Sequence, residues 1–313
     1  MLIGTRGSAL ALTQTTTVAE TLAELGSFEV ELVRVKTEGD VNRAALSQIG
    51  GTGVFVAALR ESLLRGDCDV AVHSLKDLPT AEANGLTIGA VPARVDVRDA
   101  LCARDGLTLA QLPEGARVGT GSPRRAAQLR AARPDLDVVD IRGNVDTRLG
   151  RVAGLVEGAP GDLDAVVLAA AGLARLGRLE MVSEFLDPSV MLPAPGQGAL
   201  AVECRSPDAA EGRLSRALAA YDNNAARLTV TAERALLNRL EAGCTAPIGA
   251  LASLTETRLH LESVVCSDDG TRIMRRSAAT AVLDEDGARA LGVRLAEDLL
   301  AAGAASLTDL PVH

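Results

Sequence analysis

The chain has almost no aromatic side chains: Phe28, Phe55, Phe185 and Tyr221 are the whole set, and tryptophan is absent. Its cores must therefore be built from alanine, valine, leucine and isoleucine. Recognition of single-stranded nucleic acid by base stacking, which needs aromatic platforms, is argued against. A formal net charge of −9 also argues against a phosphate backbone as the main partner. The three histidines lie far apart, and the cysteines (Cys68, Cys102, Cys204, Cys244 and Cys266) are odd in number and scattered. With no CxxC pair, no zinc spacing is recognisable. No apolar run approaches membrane-spanning length, and the opening MLIGTRGSALAL lacks the charged-then-apolar signature of a signal peptide. A reducing cytoplasm is the expected setting, with neither nucleic acid nor a membrane as partner.

A chain of 313 residues usually makes two or three domains, and its apolar content is ample for their cores. The first half alternates short β-like runs with amphipathic stretches. LIGT leads through RGS into a helix over roughly 9–25, FEVELVRVKT alternates as a strand, and a helix near 54–65 precedes the buried strand CDVAVHS. ARVGT runs into GSPRRAAQLRAARP, LDVVDI into RGNVDTRLGRV, and DAVVLAA into AGLARLG. Repeated strand–loop–helix units predict parallel α/β sheets with ligand loops at the strand C-termini. Near 191 the pattern breaks into the Pro/Gly-rich MLPAPGQG, followed by the strand-like ALAVECR. A long helix over 225–241, three turn-linked β-like runs and a helix over roughly 285–302 predict a small α+β domain with an antiparallel sheet, starting near 217–224.

Charge is concentrated in the loops. Residues 117–151 carry Arg117, Arg124, Arg125, Arg130, Arg133, Arg142, Arg148 and Arg151 in an otherwise acidic protein. Arg130, Arg133 and Arg151 read as ordinary solvated charges. Arg124 and Arg125 follow GTGSP, where Ser122 can cap a helix and Pro123 fits its first position. Free N–H groups at such a start favour an anion, and two guanidiniums flank the same spot. IRGN repeats the device, with Arg142 at a strand end, Gly143 allowing close backbone approach and Arg148 a helical turn further on. GTRGS is a third case, with Arg6 after the first strand and Ser8 as cap. Each charge-assisted hydrogen bond contributes roughly 1.5–3 kcal/mol, so the cluster could hold a polycarboxylate or polyphosphate. No P-loop or dinucleotide fingerprint is present, which makes nucleotide the weaker guess.

Two positions stay open on local sequence alone. In HSLKDLPT, Lys76 and Asp77 follow a strand. They read equally as a solvated pair of little energetic consequence, or as a carboxylate kept ionised among cations to stabilise positive charge on a substrate. Cys244, in NRLEAGCTAPIG, reads first as a small buried hydrophobe. Gly243 looks like a helix stop, which puts the thiol beside the negative end of a helix dipole, where its pKa is not depressed. A recycling thiolate nucleophile is therefore disfavoured.

GTRGSALALTQ, VAVHSLKDLPT, VGTGSPRRAAQL, IRGNVDTRL, AAAGLARLG, LPAPGQGALAVECR and RLEAGCTAPIGA together resemble the porphobilinogen deaminase (hydroxymethylbilane synthase) family, in order and spacing, over essentially the whole chain. The resemblance implies two similar doubly wound, periplasmic-binding-protein-like α/β domains plus a small α+β C-terminal domain with an antiparallel three-stranded sheet. Domain 1 would comprise 1–94 with 196–216, domain 2 would be 95–195, and domain 3, 217–313, would carry the cofactor cysteine.

It also implies a transferase. Four porphobilinogen molecules are joined head to tail, with loss of ammonia, onto a dipyrromethane primer held as a thioether on Cys244, and hydroxymethylbilane is released by water. Porphobilinogen carries acetate and propionate groups, a reason for arginine-lined loops. By motif match Asp77 is the catalytic aspartate, contacting pyrrole N–H groups and stabilising the cationic species formed as ammonia leaves. Arg6, Arg124, Arg125, Arg142, Arg148 and Arg175 match carboxylate-binding arginines. Ser74, Lys76, Ser122, Gly143 and Asn144 match their neighbours, and Gln197 matches the crossover between the first two domains. A monomer without metal is expected.

Many relatives carry lysines where this chain has Thr52 and Ala57, so no role of those lysines transfers. The Gly-paired stretch 42–55 is expected to act as a lid, with Phe55 near the site. The competing class is a non-catalytic, two-lobed anion-binding module, which would need neither Asp77 nor Cys244.

Overall fold

The computed structural model describes residues 1–35, 53–243, 246–308 and 310, with side chains from Val56 onward in the second span. Thr52, Cys244 and most of the expected lid 42–55, together with the Phe55 side chain, lie outside the described residues. Strands are β1 (Leu2–Thr5), β2 (Glu31–Arg34), β3 (Val70–Ser74), β4 (Leu86–Ala90), β5 (Asp99–Ala103), β6 (Arg117–Thr120) and β7 (Asp137–Asp140). They continue with β8 (Ala165–Ala169), β9 (Glu184–Phe185), β10 (Leu200–Arg205), β11 (Ile248–Leu254), β12 (Leu259–Cys266) and β13 (Ile273–Thr280). The chain divides into two compact units, Met1–Val95 with Ala199–Val230, and Asp96–Gly198 with Thr231–His313.

The first unit is built on a five-stranded sheet in the order β2-β1-β3-β10-β4. β1 runs parallel to β2 and β3, whereas β10 is antiparallel to both its neighbours. Alternation decides the two faces. Val70, Val72, Leu200 and Val202 pack with Val18 and Leu22 of the helix Ala9–Gly26 and with Leu218 of the helix Gly212–Tyr221. On the opposite face, Ala71 packs with Leu59 and Leu63 of the helix Gly53–Arg65. Ala199 and Ala201 pack there with Ala226 and Val230, in the first turns of the helix Asn224–Arg239.

The second unit repeats the plan as β7-β6-β8-β5-β9. β6 is parallel to β7 and β8, and β5 is antiparallel to β8 and β9. In both sheets the antiparallel strand is the one that follows a passage of the chain between units, at 95/96 for β5 and at 198/199 for β10. Leu101, Val118 and Val167 meet Leu129 of the helix Pro123–Ala132. Ala100, Val166 and Leu168 face the other way, against Leu149 and Leu173 of two short helices.

The same unit contains the antiparallel sheet β11-β12-β13. Leu259, Leu261 and Val265 are buried along one face of β12, while Val264 and Cys266 pack with Ala127 and Leu192. The end of β12 is thus buried on both faces, which explains why its alternation lapses there into VVC. The helix Glu285–Ala301 crosses Asn224–Arg239 at Gly292, where a Cβ would lie 2.3 Å from the Ala232 carbonyl. The expected fold class is found: two mixed α/β sheets covered on both faces, and a three-stranded antiparallel sheet with its helix. No helix among the described residues is long and apolar enough to cross a membrane.

Candidate functional site

In the first unit the chemistry-bearing residues sit at strand ends. β3 stops at Ser74, and the next residues, Leu75–Asp77, form one 3-10 turn held under the sheet by the fully buried Leu75. Lys76 and Asp77 are left half-buried at the rim. Ser74 Oγ lies 3.1 Å from Nε2 of the buried Gln14, on the helix that Ser8 caps by accepting from Ala11 N–H. The Asp77 loop and the Arg6 loop are therefore joined through Gln14. Behind Ser74, the buried Glu203 of β10 accepts from Arg60 Nε at 3.0 Å and lies 3.2 Å from His73 Nε2. Burial would push this carboxyl up, but hydrogen bonds and charge from His73 and Arg60 hold it below its ordinary value.

The second unit gathers the arginines. Ser122 caps the helix Pro123–Ala132, with Pro123 in its first turn, as the GTGSP motif predicts. Arg124 and Arg125 are not surface charges: each is about one-twentieth exposed or less, and both are paired with the fully buried Asp99 at the head of β5. Arg125 Nε and Nη2 lie 2.9 and 2.7 Å from Asp99 Oδ1, and Arg124 Nη1 lies 2.8 Å from Oδ2. Gln197 Nε2 donates to Oδ1 as well, at 2.9 Å. Burial alone would raise the Asp99 pKa, but the two guanidiniums overcome it and hold the carboxyl well below the usual range.

Asn144 caps the short helix Val145–Leu149, its Oδ1 accepting from Thr147 N–H at 2.8 Å. Gly143 precedes it at φ 112°, a left-handed conformation that side chains other than glycine rarely adopt. Arg148 donates back to the Gly143 carbonyl at 2.8 Å. Burial lowers the Arg148 pKa, and the charges of Arg125 and Arg142 act in the same direction, against Asp140. The Arg148 guanidinium therefore lies within electrostatic reach of both Arg125 and Arg142. Such an arrangement favours a bound anion.

The crossover MLPAPGQG is pinned by these same groups. Leu192 O accepts from Arg124 Nη1 at 2.6 Å and from Gln128 Nε2 at 3.0 Å, and Gln128 Oε1 accepts from Leu192 N–H. Gln197 Nε2 also reaches Val97 O at 2.8 Å, and Arg175 Nη2 reaches Gly198 O at 2.9 Å. The buried Glu233 clasps Gly196 N–H at 2.6 Å and Ala252 N–H at 2.8 Å. A Cβ on Gly249 would sit 2.7 Å from Leu192 O, so the start of β11, just after the cysteine loop, lies against the crossover. Gly243 and Ala246 are joined by a backbone hydrogen bond of 3.1 Å, with Cys244 and Thr245 between them outside the described residues.

The expected site residues thus fall into two groups: Arg6, Ser74, Lys76 and Asp77 in the first unit, and Ser122, Arg124, Arg125, Arg142, Gly143, Asn144, Arg148, Arg175 and Gln197 in the second. Sequence reasoning missed Asp99, Gln128, Glu203 and Glu233. For Asp99 and Glu203 a signal existed: an acidic residue inside an otherwise apolar strand, in DALCA and LAVECR, must be paired when buried. Arg130, Arg133 and Arg151 are engaged with Asp268 O, Asp135 and Asp162, away from the cluster.

Each unit is thus an α/β sheet that brings charged loops to its strand ends, one rim carboxylate in the first and a set of guanidiniums in the second. The particular family follows from comparison with known proteins. The family model described as "Porphobilinogen deaminase, dipyromethane cofactor binding domain" matches residues 1–212, and that of the C-terminal domain matches 227–301. The porphobilinogen deaminase of Cutibacterium acnes is 57% identical over 323 residues, covering 98% of this chain and 96% of its own. That of Leifsonia xyli subsp. xyli is 57% identical over 316 residues, covering 98% and 94%. Among solved structures, a periplasmic substrate-binding protein from Coxiella burnetii is 16% identical, with a TM-score of 0.42 over 71% of this chain and 91% of that one. The chain belongs to the porphobilinogen deaminase family. It is a transferase of tetrapyrrole biosynthesis that condenses four porphobilinogen molecules, with loss of ammonia, on a dipyrromethane cofactor and yields hydroxymethylbilane.

Proposed function

We propose how the residues divide this work. The observation that carries the reading is that two capped helix starts of one unit, at Ser122 and at Asn144, follow strand ends and bring arginines with them, Arg148 lying within electrostatic reach of Arg125 and Arg142. A dipyrromethane bearing acetate and propionate groups fits that donor set, with Ser122, Gly143 and Asn144 offering loop N–H and side-chain contacts. When bound, the cofactor supplies the pyrrole carbon to which the next unit is joined. Cys244 anchors it as a thioether; that the following strand β11 meets the crossover at Gly249, against the same Leu192 carbonyl that Arg124 binds, supports this.

Asp77 accepts pyrrole N–H groups and stabilises the positive charge left on the substrate as ammonia departs. Its place at the end of a one-turn 3-10 helix, half-buried next to Lys76, orients it. Gln197 fixes the crossover rather than reaching outward, since its side-chain amide is spent on Val97 O and Asp99. The division into domains 1–94 with 196–216, 95–195 and 217–313 goes with this reading, as do a monomeric state and a cytoplasmic setting.

Intact mass tests the proposal. Purified wild-type protein should exceed its sequence mass by one dipyrromethane unit, and Cys244→Ser should lack that increment. An unmodified but fully active wild-type protein would overturn it.

A further inference from the structure

β3 and β10 lie far apart in the sequence, so no short turn sets their register and the side chains must do so. Most of those side chains are interchangeable. Val70 and Val72 of β3 and Leu200, Val202 and Cys204 of β10 share one apolar face. A slip of two residues keeps every side chain on its face and there swaps one apolar group for another. On its other edge the pairing of β10 with β4 is itself irregular, shifting between Val202 and Glu203. The opposite face differs. His73, between the fully buried Ala71 and Leu75, lies 3.2 Å from Glu203, and Arg60 grips the same carboxylate, with Nε and Nη2 at 3.0 and 2.9 Å from Oε1. A slip would carry the imidazole into the place of Ala71 or Leu75 and leave the buried carboxylate beside an aliphatic group, a costly exchange. Arg205 also reaches Asp69 at the far end of β3, but that pair is 26% and 38% exposed and can exchange partners with water.

We infer that His73, Glu203 and Arg60 lock the register of β3 against β10, and that His73 and Glu203 are thereby positioning residues for Asp77. Asp77 follows His73 through one 3-10 turn, whose Leu75 N–H donates to Ala199 O at 3.1 Å, so the turn travels with the register. A slip of two residues displaces the carboxylate by about 7 Å along the sheet, beyond hydrogen-bond reach of anything it serves in the native register. The inference rests on the catalytic reading of Asp77 above. A buried ion pair adds little stability over apolar groups of similar volume, whereas registry is its best-attested use.

The test replaces the lock first with apolar groups and then with a covalent bond, each time in holoprotein. In the triple variant Arg60→Leu, His73→Leu, Glu203→Leu the buried charges are gone, so stability in urea should equal or exceed that of wild type. The β3 face then reads Ala, Leu, Leu and no longer marks its register. Its kcat should fall about threefold or more with KM unchanged, because molecules in the shifted register contribute no turnover while the others work normally. Val72→Cys with Val202→Cys, added in a Cys204→Ala background, places two thiols directly opposite one another in the native register alone. Oxidation should bring kcat back to near wild type, and reduction should remove the gain. A triple variant as active as wild type, or a lost kcat that oxidation does not restore, would overturn the inference. Should the triple variant fail to fold, Glu203→Gln goes through the same cycle and the same two results overturn it there. Failure of both to fold assigns the group to stability alone and overturns it too. Asp77→Ala separates the two levels: near-normal turnover in that variant means that the reading of Asp77 has failed. Loss of turnover there beside a fully active triple variant means that only the lock has.

Discussion

At the scale of single residues, the site is made of charges that differ in how they are held. Asp77 stands half-buried on a turn, so the carboxylate proposed to act in catalysis can be replaced without removing a core contact. Asp77→Ala is expected to lose about 10²–10⁴-fold in turnover while its thermal unfolding stays near wild type; near-normal turnover would strip it of the role. Glu203 is the opposite case, a buried carboxylate between Arg60 and His73. Breaking a buried pair by removing one charge costs about 3–5 kcal/mol at full burial, and Glu203→Gln should approach the low end because Arg60 is partly solvated. The folded-state pKa of Glu203 lies below its ordinary value of 4.5. Its stabilisation is therefore complete above that value and disappears as the pH falls through the lower, folded-state pKa. Denaturant titrations should show wild type losing stability more steeply than Glu203→Gln below about pH 4.5, and parallel curves there would contradict the assignment.

At the scale of elements, three helix starts repeat one device: a side-chain cap (Ser8, Ser122, Asn144), a β-strand before it and an arginine beside it. The caps were legible because serine and asparagine at those positions have a local job, accepting the N–H groups that a helix start leaves over. The crossing of the two long C-terminal helices was not, since Gly292 lies inside a helical pattern where glycine only costs stability. Its reason is tertiary: the backbone of the neighbouring helix leaves no room for a methyl group at 292. Gly292→Ala should thus destabilise, by about 1–3 kcal/mol despite the better helix propensity of alanine. A neutral or stabilised variant in urea unfolding would show that the helices can separate freely at that point.

At the scale of the molecule, the four cysteines among the described residues share one environment. Cys68, Cys102, Cys204 and Cys266 are buried, and burial pushes the thiols up, to about 12 for Cys102 and about 11 for Cys204 and Cys266. Thiolate, the reactive form, is therefore scarce at all four. Native holoprotein at neutral pH should titrate almost no thiol with an aromatic disulfide reagent. After denaturation it should show four, whereas apoprotein should show five, the total in the sequence. Five in denatured holoprotein would mean that no thioether is present.

What the sequence determined by itself is what local chemistry controls. Strand–loop–helix alternation fixed the fold class, since period and burial face go together. Caps marked the loops where arginines collect, and motif order marked the family. Only the tertiary structure decided what those arginines are bound to. Asp99 precedes Arg124 by a whole strand and loop, and Gln197 follows it across two further units of the sheet, yet all meet at one buried carboxylate. The strand partners of β5 were hidden for the same reason, and β10 was placed with the first domain only through the family resemblance: pairing is set by where distant segments can bury their apolar faces together, a property of the packed chain that no short window of sequence contains.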